Sequence, residues 1–336
     1  MIEFFLDPHQ LPLIFATLMG FAMLMYAILD GYDLGVGILI CRATDSEKDI
    51  MIGSIGPFWD ANETWLVLGV GLLLVAFPKA HGIILTNLYL PVAFMLTGII
   101  LRGVAFEFRI KAKDPHKDAW NRAFFCGSLL TAFSQGAMLG FYILGFEQSL
   151  LAILFSLLIG ICVTAGYTLI GAAWIIMKTT TALQQKALQW GRYALWGTVI
   201  GIVAVSLSTP LVSDRIFQRW FVMPNLFFLA PIPLLTGILI LRLHWVLDQL
   251  PCPQNKKCSK PFFLTASIFG LCFLGLAYSF YPYIVPNQLK INEAAASLES
   301  LQIILVGALI VLPFLIAYTT LSYRIFRGKS EEKYRE

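Results

Sequence analysis

Charge is the scarcest property of this chain. Asp, Glu, Lys and Arg make up 13% of its 336 residues, while 58% are hydrophobic; a soluble domain carries about 25% charged residues. A chain so poor in polar side chains cannot cover its own surface in water. That excludes an ordinary soluble domain and predicts an integral membrane protein. The few Lys and Arg lie in short connections, which argues against a basic surface for nucleic acid. Glu3 and Asp7 precede the first apolar run and no basic residue does. A cleaved signal peptide needs a positive leading segment, so this run is read as a retained span.

Other absences narrow the chemistry. The six cysteines (41, 126, 162, 252, 258 and 272) show no disulfide framework. Cys252 and Cys258 share a proline-bearing loop with basic neighbours, which reads as a loop ahead of half a zinc site. The four histidines avoid the middle of every span: His9 and His81 fall on one side, His116 in a loop on the other, and His244 at a span end. A haem or copper centre inside a helical bundle needs inward His, Met or Cys ligands. Met19, Met23 and Met25 are read as packing or lipid-facing residues, so no metal site is expected. There is no P-loop, no dinucleotide glycine fingerprint and no nucleophile elbow.

What is abundant is long apolar segments. A span needs about 20 mostly apolar residues, and nine are expected: 11–40, 57–77, 81–101, 122–146, 150–177, 193–212, 221–241, 261–284 and 301–323. Nine spans put the termini on opposite sides. Of the 24 Lys and Arg, only Lys79, Arg215, Arg219 and Lys290 fall on the side reached by the even-numbered loops. Cytoplasmic loops carry the excess of Lys and Arg, so the N-terminus is expected outside and the C-terminus inside. The fold expected is an all-α single polytopic domain of two four-helix bundles plus one extra helix. Residues 1–146 form the first bundle, 147–323 the remaining spans and 324–336 a cytoplasmic tail. Spans 1 and 5 run the same way, which fits a parallel repeat.

Two stretches concentrate the acids, Asp30-Gly-Tyr-Asp-Leu-Gly-Val-Gly37 and Gly56-Pro-Phe-Trp-Asp-Ala-Asn-Glu-Thr-Trp65. A charge at the bilayer centre costs roughly 3 kcal/mol on insertion scales, so acids there are paired, wet or functional. Asp30 and Asp33 share a helix face. They read as interfacial acids or as members of a proton route. Gly31 and Gly35 have the spacing that lets helices approach closely. Asp60 lies near a helix N-terminus, where the dipole favours a carboxylate, and Glu63 is a turn deeper. Trp65 projects about 140° from Asp60, so span 2 shows acids to one neighbour and an indole to another. Trp59 reads equally as an aromatic-belt residue. Glu107 is placed to pair with Lys111, and Arg102 to reach the headgroups. All five acids fall at the cytoplasmic end of the first three spans.

These stretches, followed by Leu101-Arg-Gly-Val-Ala-Phe-Glu-Phe-Arg109, resemble subunit II of the cytochrome bd-type quinol oxidases. The Ala-Asn-Glu-Thr wording and the short chain look like the cyanide-insensitive branch. The resemblance implies a complex of the bacterial cytoplasmic membrane that oxidises a quinol and reduces dioxygen to water, building a proton gradient without a pump. It implies that haems b558, b595 and d belong to a homologous partner, subunit I, and that this chain binds none alone. It implies that Asp60 and Glu107 lie on a proton path, and that Asp30, Asp33, Glu63 and Arg102 belong to the same polar network. Trp65, with Trp59, would lie near an oxygen route or subunit contact. A structural quinone in this subunit, a small single-span accessory subunit and membrane lipid are further expected partners. The competing reading is a proton-coupled secondary transporter, which buried acids and kinked helices also fit; a purely structural scaffold leaves the five acids unexplained.

Overall fold

In the computed structural model, residues 10–223, 225–251 and 257–330 are described. The reading of Cys252, like that of His9, falls outside them. The chain is a bundle of long helices: α1 (Leu11–Leu39), α2 (Asp45–Ile55), α3 (Trp59–Ala76), α4 (Pro78–Lys111), α5 (Asp114–Ile143), α6 (Leu150–Lys178), α7 (Thr181–Val212), α8 (Asp214–Phe221), α9 (Asn225–Leu229), α10 (Pro231–Gln249), α11 (Lys260–Phe280), α12 (Ile291–Ala294) and α13 (Leu298–Ile325). A short antiparallel hairpin, β1 (Tyr283–Val285) with β2 (Leu289–Lys290), precedes α12. Eight helices among the described residues are long and apolar enough to span a membrane, and the bent pair α2–α3, at 49°, brings the number to nine.

Several helices run past the apolar segments because polar turns continue them. The fourth runs to Lys111, ten residues past the hydrophobic limit of its segment. Helix α2 lies in a stretch too polar to read as a span. Its signal is a capping box, Thr44 with Glu47 three residues into the helix, which satisfies two donors reciprocally at the helix start. A similarly polar helix, α8, follows the sixth expected span and displaces the start of the seventh to Asn225.

Helix α1 is the central strut. It packs on α3, α5, α6, α11 and α13, and from Leu29 to Gly37 every residue is buried. Its closest neighbour in the second half of the chain is α6. Gly35 faces the Tyr167 carbonyl and Gly171, and a Cβ on Gly31 would meet the Tyr167 ring at 2.8 Å. The Gly31/Gly35 spacing thus does what it promises, letting two backbones touch where any side chain would hold them apart.

The charged connections collect at one end of the bundle. There Arg109 of α4 donates to Asn121 and pairs with Asp49 at 2.7 Å, Lys186 of α7 pairs with Glu47 at 2.8 Å, and Lys48 bonds Asp45 at 2.9 Å. The chain returns to this end after α13. Lys329 Nζ donates to the Thr179 carbonyl at 2.8 Å and Ser330 N to the Lys178 carbonyl at 2.7 Å. At the opposite end the hairpin closes the bundle, with Tyr142 donating its hydroxyl to the Ile284 carbonyl.

Candidate functional site

The buried C-terminal half of α1 contains two carboxyl groups, Asp30 and Asp33, both 0% exposed. Burying a carboxylate is costly unless it is paired or hydrogen-bonded, and three other helices supply partners. Arg102, 1% exposed on α4, places Nη2 2.7 Å from Asp30 Oδ1, and the same nitrogen contacts Glu63 of α3. Asn62, also fully buried on α3, donates from its amide to Asp33 Oδ2 at 2.7 Å, to the Tyr32 hydroxyl at 2.9 Å and to the Leu29 carbonyl at 3.2 Å. Tyr323 of α13 donates to Asn62 Oδ1 at 3.2 Å, and its hydroxyl lies 2.7 Å from that of Tyr32. Four helices therefore meet in one polar cluster inside an apolar bundle.

Aromatic packing fixes the cluster from below. Tyr32 stacks on Trp174 of α6, with ring centroids 4.0 Å apart and planes at 15°. Lys178 sits 5.0 Å from the Phe58 ring and 5.1 Å from the Trp174 ring, and donates to the Phe326 carbonyl at 2.7 Å. A second polar limb starts one turn before Asp30 on α1. Gln135 Nε2 donates to the Tyr26 hydroxyl at 2.6 Å, and the Tyr167 hydroxyl donates to Gln135 Oε1 at 2.7 Å. Asp33 Oδ1, Arg102 Nε and Nη1 and the Trp65 indole nitrogen are buried without a hydrogen bond among the described residues. Orphaned buried groups of this kind are uncommon, and each asks for a reason such as proton handling.

The expected site residues divide by helix phase. Asp30, Asp33, Glu63 and Arg102 come together. Asp60 stays on the exposed side of the first turn of α3, and Glu107 on the exposed side of α4. On α4 the inward positions include Gly98, Arg102, Ala105 and Arg109, and Glu107 lies about 140° around the helix from Arg102. No ion pair joins Glu107 to Lys111 among the described residues. Arg102 does not reach for headgroups but turns inward. Trp65 is 1% exposed, edge-on to Phe21 at 5.8 Å, and Trp59 lies against Phe106 at 4.9 Å.

Sequence reasoning missed Asn62, Tyr32, Tyr323 and the Tyr26–Gln135–Tyr167 limb. Asn62 stood inside the motif, and a buried amide between two acid-bearing helices was the available signal. The remaining polar groups are ordinary for their positions. His81 and His244 are half-buried near helix ends, His116 is exposed, and His244 Nε2 lies 3.4 Å from Asp248. Among the described residues no group of three or more His, Cys, Asp or Glu is placed to hold a metal ion.

The sequence matches the family profile of the cytochrome bd terminal oxidase subunit II over residues 11–326. It is 27% identical over 328 residues to the cytochrome bd ubiquinol oxidase subunit 2 of Bacillus subtilis (strain 168), covering 92% of this chain and 93% of that one. It is 24% identical over 365 residues to the cytochrome bd-I ubiquinol oxidase subunit 2 of Escherichia coli (strain K12), covering 95% and 94%. Its fold is similar to a chain in the structure of bd oxidase from Geobacillus thermodenitrificans, with a TM-score of 0.74 at 17% identity over 94% of this chain and 98% of that one. With its apolar helices and a profile match over nearly its whole length, this chain belongs to the cytochrome bd terminal oxidase subunit II family, multi-pass proteins of the bacterial inner membrane.

Proposed function

We propose that the chain is the non-haem subunit of a quinol:dioxygen oxidoreductase and that its buried cluster handles protons drawn from the cytoplasmic side. The observation that carries this reading is the uneven charge count of the cluster. Three carboxyl groups share the cluster with one guanidinium: Asp30 and Glu63 touch Arg102, and Asp33 is bonded by Asn62. Fully ionised, these four groups carry a net charge of −2, so two bound protons would balance them, and groups so tightly coupled exchange protons as a unit. Exposure falls stepwise from Asp60, which is exposed, through Glu63, with 23% of its side chain accessible, to Asp30 and Asp33. Such a gradient suits a route from water into the bundle.

The haems of the complex, b558, b595 and d, would be held by subunit I and would supply electron storage and dioxygen reduction. The residues of this chain would position and deliver protons. Asp60 and Glu107 stand on outer faces of α3 and α4, where groups of subunit I would complete a shared path. Trp65 and Trp59 both lie on α3; buried Trp65 would border an oxygen route, and partly exposed Trp59 a subunit contact. Orientation follows the charged end: the N-terminus outside, the C-terminus inside. Quinol oxidation would then release protons outside while oxygen reduction consumes protons from inside. A structural quinone, a small accessory subunit and bound lipid are partners this arrangement admits, and the close contact of α1 with α6 fits two related four-helix bundles, 1–146 and the helices after it, plus one.

The test is Asp60→Asn in the assembled complex. Turnover should fall about tenfold, a loss of about 1.4 kcal/mol in barrier terms, with the haem spectrum per complex unchanged. Normal oxygen uptake would remove Asp60 from the route. A second expectation concerns the division of labour. The chain purified without its partner should show no stoichiometric haem in a reduced-minus-oxidised spectrum; one haem per chain would overturn the assignment of all haems to subunit I.

A further inference from the structure

Four cations break the charge asymmetry of this chain, and two of them, Arg215 and Arg219, sit on the single short helix α8. Four residues apart, they share one helix face. The helix is anchored by Ile216, 4% exposed, and by Trp220, whose indole nitrogen donates to Ser279 Oγ at 2.8 Å. Arg215 Nη1 donates to the Ser279 carbonyl at 2.8 Å. Both guanidiniums lie over tyrosine rings: Arg215 over Tyr283 at 5.8 Å, Arg219 over Tyr278 at 4.9 Å and Tyr281 at 5.9 Å. Stacking fixes their planes but does not neutralise them. Arg215 Nε and Nη2 and Arg219 Nε have no hydrogen-bond partner, and no ion pair reaches either residue among the described residues. Burial, followed by the charge of Arg219, holds Arg215 below its ordinary value. Two adjacent, like-charged guanidiniums with no ion-pair partner among the described residues favour a bound anion.

The two arginines border a shallow, open surface depression, lined also by Gln218, Val222 and Asn225. Beside it the chain exposes a run of aromatic surface: Phe217 is 48% and Phe221 51% exposed, with rings stacked at 5.1 Å, and Phe228 is 75% exposed. Helix α8 belongs to none of the spans and lies between α7 and α10. A helix with cations on one face and large apolar side chains on the other lies in the membrane interface.

We propose that Arg215 and Arg219 hold the phosphate of an anionic phospholipid, with its headgroup beside Gln218 and Asn225 and its acyl chains along Phe217, Phe221 and Phe228. Guanidinium forks match phosphate oxygens in geometry and keep their charge at any physiological pH. The exposed aromatics select a lipid over a free anion, because inorganic phosphate gains nothing from them.

Native mass spectrometry of the intact, delipidated complex tests the site after addition of phosphatidylglycerol or phosphatidylcholine. The parent complex should retain phosphatidylglycerol at least about fivefold better than phosphatidylcholine, the order expected for a juxtamembrane cation pair. Arg219→Gln should remove that preference, and Arg219→Lys should keep part of it. Gln218→Glu, at an exposed position that leaves the fold alone, should abolish retention by placing a carboxylate beside the two arginines. Equal retention of both lipids, an unchanged preference in Arg219→Gln and Gln218→Glu, or displacement of the lipid by inorganic phosphate would each overturn the assignment.

Discussion

Replacing Arg102 with Met should be the most damaging single change in the acid cluster. The substitution keeps the volume and the apolar stem and removes the one cation that faces Asp30 and Glu63. Removing one partner of a buried ion pair costs about 3–5 kcal/mol, because the other charge is left buried and uncompensated. Here two carboxyl groups lose their partner together. The expected result is a steep loss of assembled complex in the membrane and a lower Tm in detergent. Arg122 makes the useful contrast, since its pair with Asp118 is exposed on both sides and Arg122→Ala should cost about 0.5 kcal/mol or less. The double variant Arg102→Met/Asp30→Asn should recover part of the loss, since neighbours in one network do not add independently. If Arg102→Met is as stable as the parent, the cluster is not held together by its guanidinium.

Gly35→Val should come next, and for a different reason. A Cβ at Gly35 would overlap the Tyr167 carbonyl oxygen and approach Gly171 Cα at 2.8 Å. Both obstacles are backbone, so no side chain can swing aside. Overpacking a tight contact costs typically 1–3 kcal/mol, and a β-branched side chain between two rigid helices should reach about 3 kcal/mol. The shift would also pull Asp33 and Tyr32 away from Asn62, so turnover should fall along with stability. Gly71→Ala is the matched control. Nothing lies within 4 Å of a Cβ there, and replacing glycine inside a helix stabilises by about 0.5–1 kcal/mol. Opposite signs at the two glycines, read as Tm shifts, are the expected outcome. A neutral Gly35→Val would mean that α1 and α6 are free to separate.

Much of this fold is written in hydropathy. Long apolar runs pass into helices because an unsatisfied backbone group in lipid is too costly to tolerate. The misplaced parts are those that hydropathy does not govern. Helix α2 is held by its capping box and by ion pairs to α4 and α7, and α8 by aromatic stacking. In the site, the legible residues were those whose charge is expensive in an apolar segment, and Asp30, Asp33, Glu63 and Arg102 do assemble. Glu107 shows where that reasoning ends: seven residues separate Arg102 from Arg109, which share the inward face, whereas five separate Arg102 from Glu107, which does not. Helix phase, rather than charge, decides which of them turns inward. The tyrosines were invisible for another reason. Tyrosine is common at membrane interfaces, and nothing local to Tyr323 says that its hydroxyl ends beside Tyr32, 291 residues earlier in the chain.

That long separation has a consequence for how the protein is made. The acid-bearing helices leave the ribosome first, and the hydroxyl that completes their hydrogen bonding arrives on the last helix, followed by the tail that pins Lys178 and Thr179. Until α13 inserts, Asn62 and Tyr32 lack their final partner and the cluster is open on one side. A chain cut short before α13 loses that span and leaves Asn62 and Tyr32 without the Tyr323 hydroxyl. The polar cluster is complete only once α13 is in place.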